Sequence, residues 1–574
     1  MRLPFVRGCA RHALAAKGGL RHAKGGQAAR AMAEDATAHA IALTPEEKKL
    51  FDTLLAVCEH ASLKTTMRAA GGWVRDKLLG KASKDIDIAL DDMLGREFAE
   101  HINGYLRACD LPVHHIAVIA SNPEQSKHLE TAAVKVEGID IDLVNLRAED
   151  YTEDSRIPTM KFGTPLEDAM RRDLTINALF YNLATNAVED YTGMGLADLD
   201  AGFIRTPLAP KETLLDDPLR ALRAVRFAAR YGFDLDPLLV EAMASHDVQT
   251  ALLTKVSRER VGVEVNGMLK GGPEVFARAM RCMHDAQLIP AVFETSAVPQ
   301  EARSAYAECA RAHVEAATGA LAVEPTLLHG KDDASAADPS GPEALDVRQA
   351  EHARLLMLAS ALMPLRTCTE HGVLEGSKRK KARPQAASRG VLLNSMKLRT
   401  KDADSVSTLE AQSIKLHAHL ADLTRAAGAP DDQAARALVP DDAIESVGWA
   451  IKAAGEAWRV SIVLACIAGE SDSPLADDVP VLSAPREAAA VAAAAAAAIR
   501  GVEGLGLASC FSWKPLLAGP AMMAELGLSK PGPEVGAAQK AATGWQFRHP
   551  DGTAAACAEW VRSTYAPSLA RGAS

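Results

Sequence analysis

The chain has 574 residues, a formal net charge of −10, 48% hydrophobic and 24% charged residues, and only 4% aromatics. That length exceeds a single hydrophobic core and implies three or four domains, while alanine runs with few aromatics favour helix over sheet. No apolar run reaches the ~18 residues that a membrane-spanning helix needs, and the nine cysteines, widely spaced with no CxxC pair, argue against a zinc site or disulfide framework and fit a reducing compartment.

Residues 1–33 carry seven Arg or Lys and no acid. This is the pattern of an organelle transit peptide, mitochondrial or alternatively plastid, although Ser is scarce; a merely disordered basic tail is the other reading. Met32 offers a second start and hence a cytoplasmic or nuclear form. Without those seven positive charges the net falls from −10 to −17. RNA contact would therefore rely on local basic faces.

Thr44–Ser62 is predicted helical, with Thr44-Pro45 as cap and first position and Glu47 completing a capping box. Lys64–Ala70 reads as a short strand that enters the Gly71-Gly72 turn, and Trp73–Leu79 as a helix. Such a glycine pair lets backbone N–H groups approach an anion such as a phosphate. Asp85–Leu90 is the next strand. Alternation puts Asp85 and Asp87 on one side, roughly 6.5–7 Å apart along the chain, with Ile86, Ile88 and Leu90 opposite. Paired carboxylates on an exposed strand face suit a hard divalent cation. An anion cradle beside metal carboxylates points to nucleotide chemistry.

Leu94–Ala108 is predicted helical and Val113–Ile119 a strand; Ala120–Thr131 is polar and turn-rich, read as a mobile loop. Ala132–Glu137 and Ile139–Leu146 alternate again, and the second places Asp140 and Asp142 on one face. A third acid beside the first two and a plain solvated face are both open. Thr164–Leu183 is predicted as one helix, capped by Thr164, Pro165 and Glu167. Asp190–Asp200 reads as a glycine-containing turn followed by acids. From about Pro207 strand signals largely stop, with the clearest helices at Leu215–Tyr231, Ser257–Leu269 and Pro273–Ala286. Glu324–Leu345 reads as a disordered insertion, Gly376–Arg389 as a basic loop, Glu487–Ile499 as alanine-rich helix and Ala566–Ser574 as a loose tail.

Along Leu215–Tyr231, Leu219, Leu222, Val225 and Ala229 form a stripe at helical spacing. Asp217, Arg220, Arg223, Arg226 and Arg230 follow another face. A solvated helix with Asp–Arg pairs is the ordinary explanation. The alternative is recognition. An Asp acceptor beside an Arg donor matches the amino group and ring nitrogen of cytosine or adenine and mismatches uracil and guanine, whose unpaired buried groups would be strongly disfavoured.

GGWVRD (Gly71–Asp76) with DID (Asp85–Asp87), RRDLTINA (Arg171–Ala178), the DYTG turn at Asp190, DDPLRALRAVRF (Asp216–Phe227) and SRERVGVE (Ser257–Glu264) occur in this order. The set resembles that of the class II CCA-adding tRNA nucleotidyltransferases, of the polymerase-β-like superfamily. KHLETA, DIDLVNLR, SRIP, FGTP and KPGPEVG resemble the fungal-type eukaryotic members. The match is good from about Thr44 to Leu269 and patchy beyond.

The resemblance implies an α+β fold, with a small mixed-sheet nucleotidyltransferase head (40–205) followed by an all-helical neck (206–275), body (276–465, with the insertion 324–345) and tail (466–574, tRNA binding). It implies catalytic residues Asp85, Asp87 and Asp142, with Asp85 and Asp87 holding Mg²⁺. Gly71, Gly72 and Arg75 would meet the triphosphate, Arg172 and Asp173 the ribose, and Asp217, Arg220, Arg223 and Arg226 the incoming base. The implied reaction adds C, C and A to tRNA from CTP and ATP, the helical part clamping the acceptor and T-arm stack, with no membrane partner and a monomer expected. The loop at 120–131 would serve the change from CTP to ATP. Ser257–Glu264 is expected to be helix packing and neck support. A CC-adding enzyme, a poly(A) polymerase and a non-catalytic RNA-binding relative are the alternatives.

Overall fold

A computed structural model describes residues 39–83, 85–119, 131–150, 159–329, 342–371, 384–468 and 482–565. The expectations for the transit peptide and Met32, the loop at 120–130, the basic run 378–383 and the tail 566–574 fall outside these residues. The chain divides into two compact units at Asp200/Ala201.

In the first unit α1 (Pro45–His60) opens on the expected capping box, in which Thr44 Oγ1 accepts the Glu47 amide and the Glu47 carboxylate accepts the Thr44 amide. Glu47 also accepts the Trp73 indole N–H at 3.1 Å, so the cap is tied to the next layer. Then come β1 (Met67–Ala70), α2 (Gly72–Leu78), β2 (Ile86–Leu90), α3 (Gly95–Ala108), β3 (Ala117–Ile119), β4 (Thr131–Val136) and β5 (Ile139–Asn145). β6 (Arg147–Asp150) and β7 (Thr159–Phe162) pair antiparallel. They lead to α4 (Pro165–Met170), β8 (Phe180–Asn182), β9 (Ala187–Glu189) and α5 (Gly195–Ala201).

Seven strands form a mixed sheet in the order β3-β4-β5-β2-β1-β8-β9. Only the central β2–β5 pair is parallel. Trp73, Phe51 and Tyr181 pack edge to face and tilted against one another, with ring centroids 5.6–6.0 Å apart, the geometry aromatic pairs prefer. Gly95 lets α3 lie flat on the sheet, because a Cβ there would come 2.4 Å from the Leu143 carbonyl oxygen.

One expectation fails here. Thr164–Leu183 is not a single helix: α4 ends at Met170, a 3₁₀ turn covers Thr175–Asn177, and Phe180–Asn182 is strand β8. Leu174 is extended at φ −135°, ψ 146°. The Asp173 carboxylate accepts the Leu174 backbone amide at 2.9 Å, offering the backbone a local alternative to helix, and the Asn177 side-chain amide at 3.0 Å. Pairing with β1 then takes the rest of the segment into the sheet.

The second unit is mostly helical. β10 (Phe203–Ile204) is followed by α6 (Pro210–Asp216), α7 (Leu219–Tyr231), β11 (Asp234–Leu235), α8 (Pro237–Ala244), α9 (His246–Lys255), α10 (Arg258–Leu269) and α11 (Pro273–Asp285). β10 pairs with β11, and Thr369–His371 with Pro384–Ala386; these two short pairs interrupt what was expected to be all helix. Further helices include Arg303–Val323, Thr400–His417 and Ala488–Gly504. Helix Pro342–Leu362 begins inside the expected insertion. The predicted helix Leu215–Tyr231 is broken at Asp217, at φ −133°, ψ 98°, because the residue before a proline is pushed out of the helical region.

Candidate active site

The register of the central strands builds the acidic edge. Asp87 on β2 stands directly opposite Asp142 on β5, while Ile86 and Ile88 are 3% and 0% exposed on the other face. Asp85 lies one residue before β2, exposed like Asp87; Asp142 is half-buried. Partial desolvation, then the charge of Asp142, raises the Asp87 carboxyl above the usual range against the pull of Arg172, with Asp85 adding to the rise. Desolvation followed by Asp85 raises Asp142 in the same sense. Three carboxylates are therefore held within electrostatic reach, at a cost that a bound cation relieves.

Among the described residues, no group of three His, Cys, Asp or Glu side chains is arranged to hold a metal alone. The donor set nevertheless fits Mg²⁺, which takes one or two carboxylates and completes its shell with waters and substrate phosphates.

Gly71 and Gly72 turn the chain from β1 into α2. Gly71 adopts φ +67° and gives its own N–H to the Leu179 carbonyl at 3.0 Å. It therefore acts through its shape, not as an amide donor. A Cβ at Gly71 would come 2.7 Å from Arg172 Nη1, so the missing side chain is the space the Arg172 guanidinium occupies.

Arg75 is turned inward. It is 4% exposed, and its guanidinium donates to Asp76 at 2.8–2.9 Å and to the Asn177 side chain. This guanidinium ties α2 to the 3₁₀ turn. Arg172 donates to Asp168 through Nε at 2.9 Å and to the Asn177 carbonyl through Nη1 at 2.9 Å, and stacks over Phe180 with its centre 4.9 Å from the ring. Asp173 beside it is half-buried.

The partners of two acids escape sequence reasoning. Asp168, 2% exposed, gathers Arg171 and Arg172; its only signal is a position one residue after the capping Glu167. In the DYTG turn, Asp190 accepts the amides of Thr192, Gly193 and Leu196 at 3.1 Å each. This motif shapes the backbone.

In the second unit, Leu219, Leu222, Val225 and Ala229 are buried as expected. Asp217 sits just ahead of α7, and its Oδ1 accepts the Leu219 amide at 3.2 Å. The partners of its neighbours come from α10. Arg260 donates to Asp217 at 2.7 Å, and Glu264, 5% exposed, receives Arg226 at 2.6 Å and lies 3.8 Å from Arg223. The arginines thus do have acidic company, contributed by a different helix. Ser257–Glu264 packs α10 as expected and also fixes the orientation of Asp217, Arg223 and Arg226. The signal was present in the spacing of Arg260 and Glu264, one turn apart.

Residues 67–205 match the poly A polymerase head domain. Over 210 residues the chain is 53% identical to the mitochondrial CCA tRNA nucleotidyltransferase of Candida glabrata, covering 36% of this chain and 40% of that protein. A tRNA nucleotidyltransferase of Schizosaccharomyces pombe is 47% identical over 257 residues, 44% of this chain and 51% of the relative. The matched stretch thus spans about half, or less, of these relatives' length. A CCA-adding enzyme structure in apo form superimposes over 88% of this chain and 93% of its own at a TM-score of 0.54 and 18% identity. The Thermotoga maritima CCA-adding enzyme complexed with tRNA does so over 91% and 96%, at 0.53 and 17%. These structural likenesses establish a shared fold.

Proposed function

We propose that this chain is a tRNA nucleotidyltransferase that adds C, C and A to a tRNA 3′ end without a nucleic-acid template, using CTP and ATP and releasing diphosphate. The observation that carries the reading is the Asp87–Asp142 register pair with Asp85 beside it, next to a glycine turn that makes room for Arg172. The high identity of the head to proteins named as tRNA nucleotidyltransferases supports it.

In this mechanism Asp85 and Asp87 hold Mg²⁺. When bound, the metal favours the ionised RNA 3′-hydroxyl and offsets the triphosphate charge. Asp142 is the helper acid. The reaction forms a bond from the 3′-oxygen to the α-phosphorus and breaks the bond to diphosphate. Gly72 and Arg172 bind the nucleotide on the phosphate and ribose side, Asp173 accepts from the 2′-hydroxyl, and Arg75 acts as a positioning residue through Asn177. Asp217 and Arg220 read the base, held by α10, with Arg223 and Arg226 alongside. The helical unit recognises the tRNA acceptor and T-arm stack by shape and phosphate contacts. The protein acts as a monomer, directed to mitochondria by residues 1–33, with a second form from Met32.

Purified protein incubated with tRNA lacking its 3′ end, Mg²⁺ and NTPs should extend it by three nucleotides with CTP plus ATP and by two with CTP alone. Extension by CTP only would identify a CC-adding enzyme, long adenylate tracts a poly(A) polymerase, and no extension a non-catalytic relative.

A further inference from the structure

We propose that Glu410 is a proton-controlled latch in the second unit: as a neutral acid it lets the short helix Ala387–Gly390 close over the helix Thr400–His417, and loss of its proton releases that contact. This device does not depend on the nucleotidyl-transfer reading.

Glu410 lies on the helix Thr400–His417 and is 2% exposed. Its Oε2 accepts the Ser388 hydroxyl at 2.5 Å, and its Oε1 meets no hydrogen-bond donor among the described residues. Tyr306, buried on the helix Arg303–Val323, lies within reach of its charge: burial, then Glu410, then Cys368 raise the Tyr306 hydroxyl. An ionised carboxylate offers about four acceptor sites, and a protonated one supplies a donor of its own. Burying the charged form beside one hydroxyl is therefore costly, and the neutral form suits the place.

The surrounding charges do not reverse that preference. Burial is the largest influence and pushes the Glu410 carboxyl from the ordinary 4.5 up to about 8, against the Ser388 hydrogen bond and the positive charge of Arg366, which follows the turn Met363–Leu365. Charges on the helices packed against Thr400–His417 have other partners. On Pro342–Leu362, Arg354 pairs with Glu351 and with Asp402, two turns before Glu410. On Asp441–Ala454, Glu445 pairs with Arg548 and Lys452 donates to the Trp513 carbonyl. On Trp458–Ile467, Arg459 pairs with Glu503, and burial pushes the Cys466 thiol up to about 12.

The element bonded to the carboxyl is small. Ala387–Gly390 is a single turn, too short to hold its shape without packing. Its first amide donates to the Cys368 carbonyl at 2.9 Å. Arg389 pairs with Asp404 at 2.8 Å, an exposed contact that adds little. Glu370 reaches Gly390, where a Cβ would come 1.5 Å from its Oε1. The buried tie to Thr400–His417 is Ser388 to Glu410. An ionised Glu410 regains water when this turn lifts, and its proton passes to that water. The latch is tight where Glu410 is neutral in both open and closed forms. It weakens as pH climbs from the ordinary value of the open form towards the raised value of the closed one, and levels off above it.

Amide hydrogen exchange on the full-length protein tests this from about pH 5 to about pH 9.5, each rate divided by that of the same peptide unfolded at the same pH. Protection across 387–392 should fall about tenfold per pH unit and level off near the raised value. Glu410→Gln removes the proton and should make that protection independent of pH. Ser388→Ala removes the hydrogen bond that favours the ionised carboxyl, so its levelling should move to higher pH. The helix Arg303–Val323 should keep its protection in all three proteins. A folded Glu410→Gln protein whose protection falls as steeply as wild type, or a loss spread evenly over the whole second unit, overturns the proposal. If Glu410→Gln does not fold, Ser388→Ala decides, and levelling at the wild-type pH overturns it.

Discussion

At Gly71 the backbone and the missing side chain act together. A residue with a Cβ at φ +67°, ψ −117° sits in a sparsely populated backbone region that costs about 1–3 kcal/mol, and that Cβ would press on the Arg172 guanidinium. Gly71→Ala should therefore lower stability by about that amount and raise nucleotide KM more than it lowers kcat, as thermal melts and steady-state kinetics would report. Asp87 makes the opposite bargain. Its folded carboxyl titrates above the unfolded value, so its contribution to stability is full below the unfolded pKa and is lost as pH rises through the folded one. At neutral pH the ionised Asp87 carboxylate is opposed by burial and by the charge of Asp142. Asp87→Asn should melt higher than wild type near pH 7, converge with it below about pH 4, and abolish nucleotide transfer. A variant that melts lower at pH 7 would show that Asp87 is not crowded. These residues were legible because alternation and turn chemistry are local rules. Arg75 was not, since its burial depends on Asn177, 102 positions away.

At the scale of elements, capping boxes and the central strands were read correctly, and the failures share one cause. The Thr164–Leu183 pattern satisfies a helix along the chain, yet Asp173 and the β1 edge compete for its second half and win. The Asp217 break was available in the sequence, because Pro218 follows it; the helical spacing of the arginines obscured it. α10 supplies a prediction that separates function from packing on one helix. Arg260 is 41% exposed and Asp217 25% in their side chains, so losing this pair should cost at most about 1 kcal/mol. Arg260→Ala should nonetheless relax the choice of nucleotide, measured as misincorporation of UTP, because Asp217 loses its restraint. Gly262, two residues along, would place a Cβ 1.8 Å from the Met396 carbonyl oxygen. Gly262→Ala forces α10 off that turn and should cost about 1–3 kcal/mol. If Arg260→Ala leaves UTP rejection intact, α10 serves packing alone.

For the whole molecule, the constraint is charge. The chain carries −10 overall, so its average field repels RNA, and any RNA contact must be concentrated on local basic faces. The proposed metal acids lie in the first unit and the proposed base-reading residues in the second; duplex recognition in this proposal rests on shape and a limited set of phosphate contacts. Each phosphate neutralised adds about 0.7–0.9 to the slope of log affinity against log salt. A shape-specific clamp and a nonspecific basic surface both weaken as salt rises, but they differ in what survives. The clamp should keep its preference for folded tRNA over a linear RNA of equal length at every salt concentration, since the two offer similar charge and different form. Filter binding or fluorescence anisotropy from about 0.05 to 0.2 M salt, the range over which phosphate contacts are most strongly weakened, measures that preference directly. Equal affinity for the two RNAs across the range would mean that the helical unit binds charge without reading form, and tRNA would lose its place as the favoured substrate.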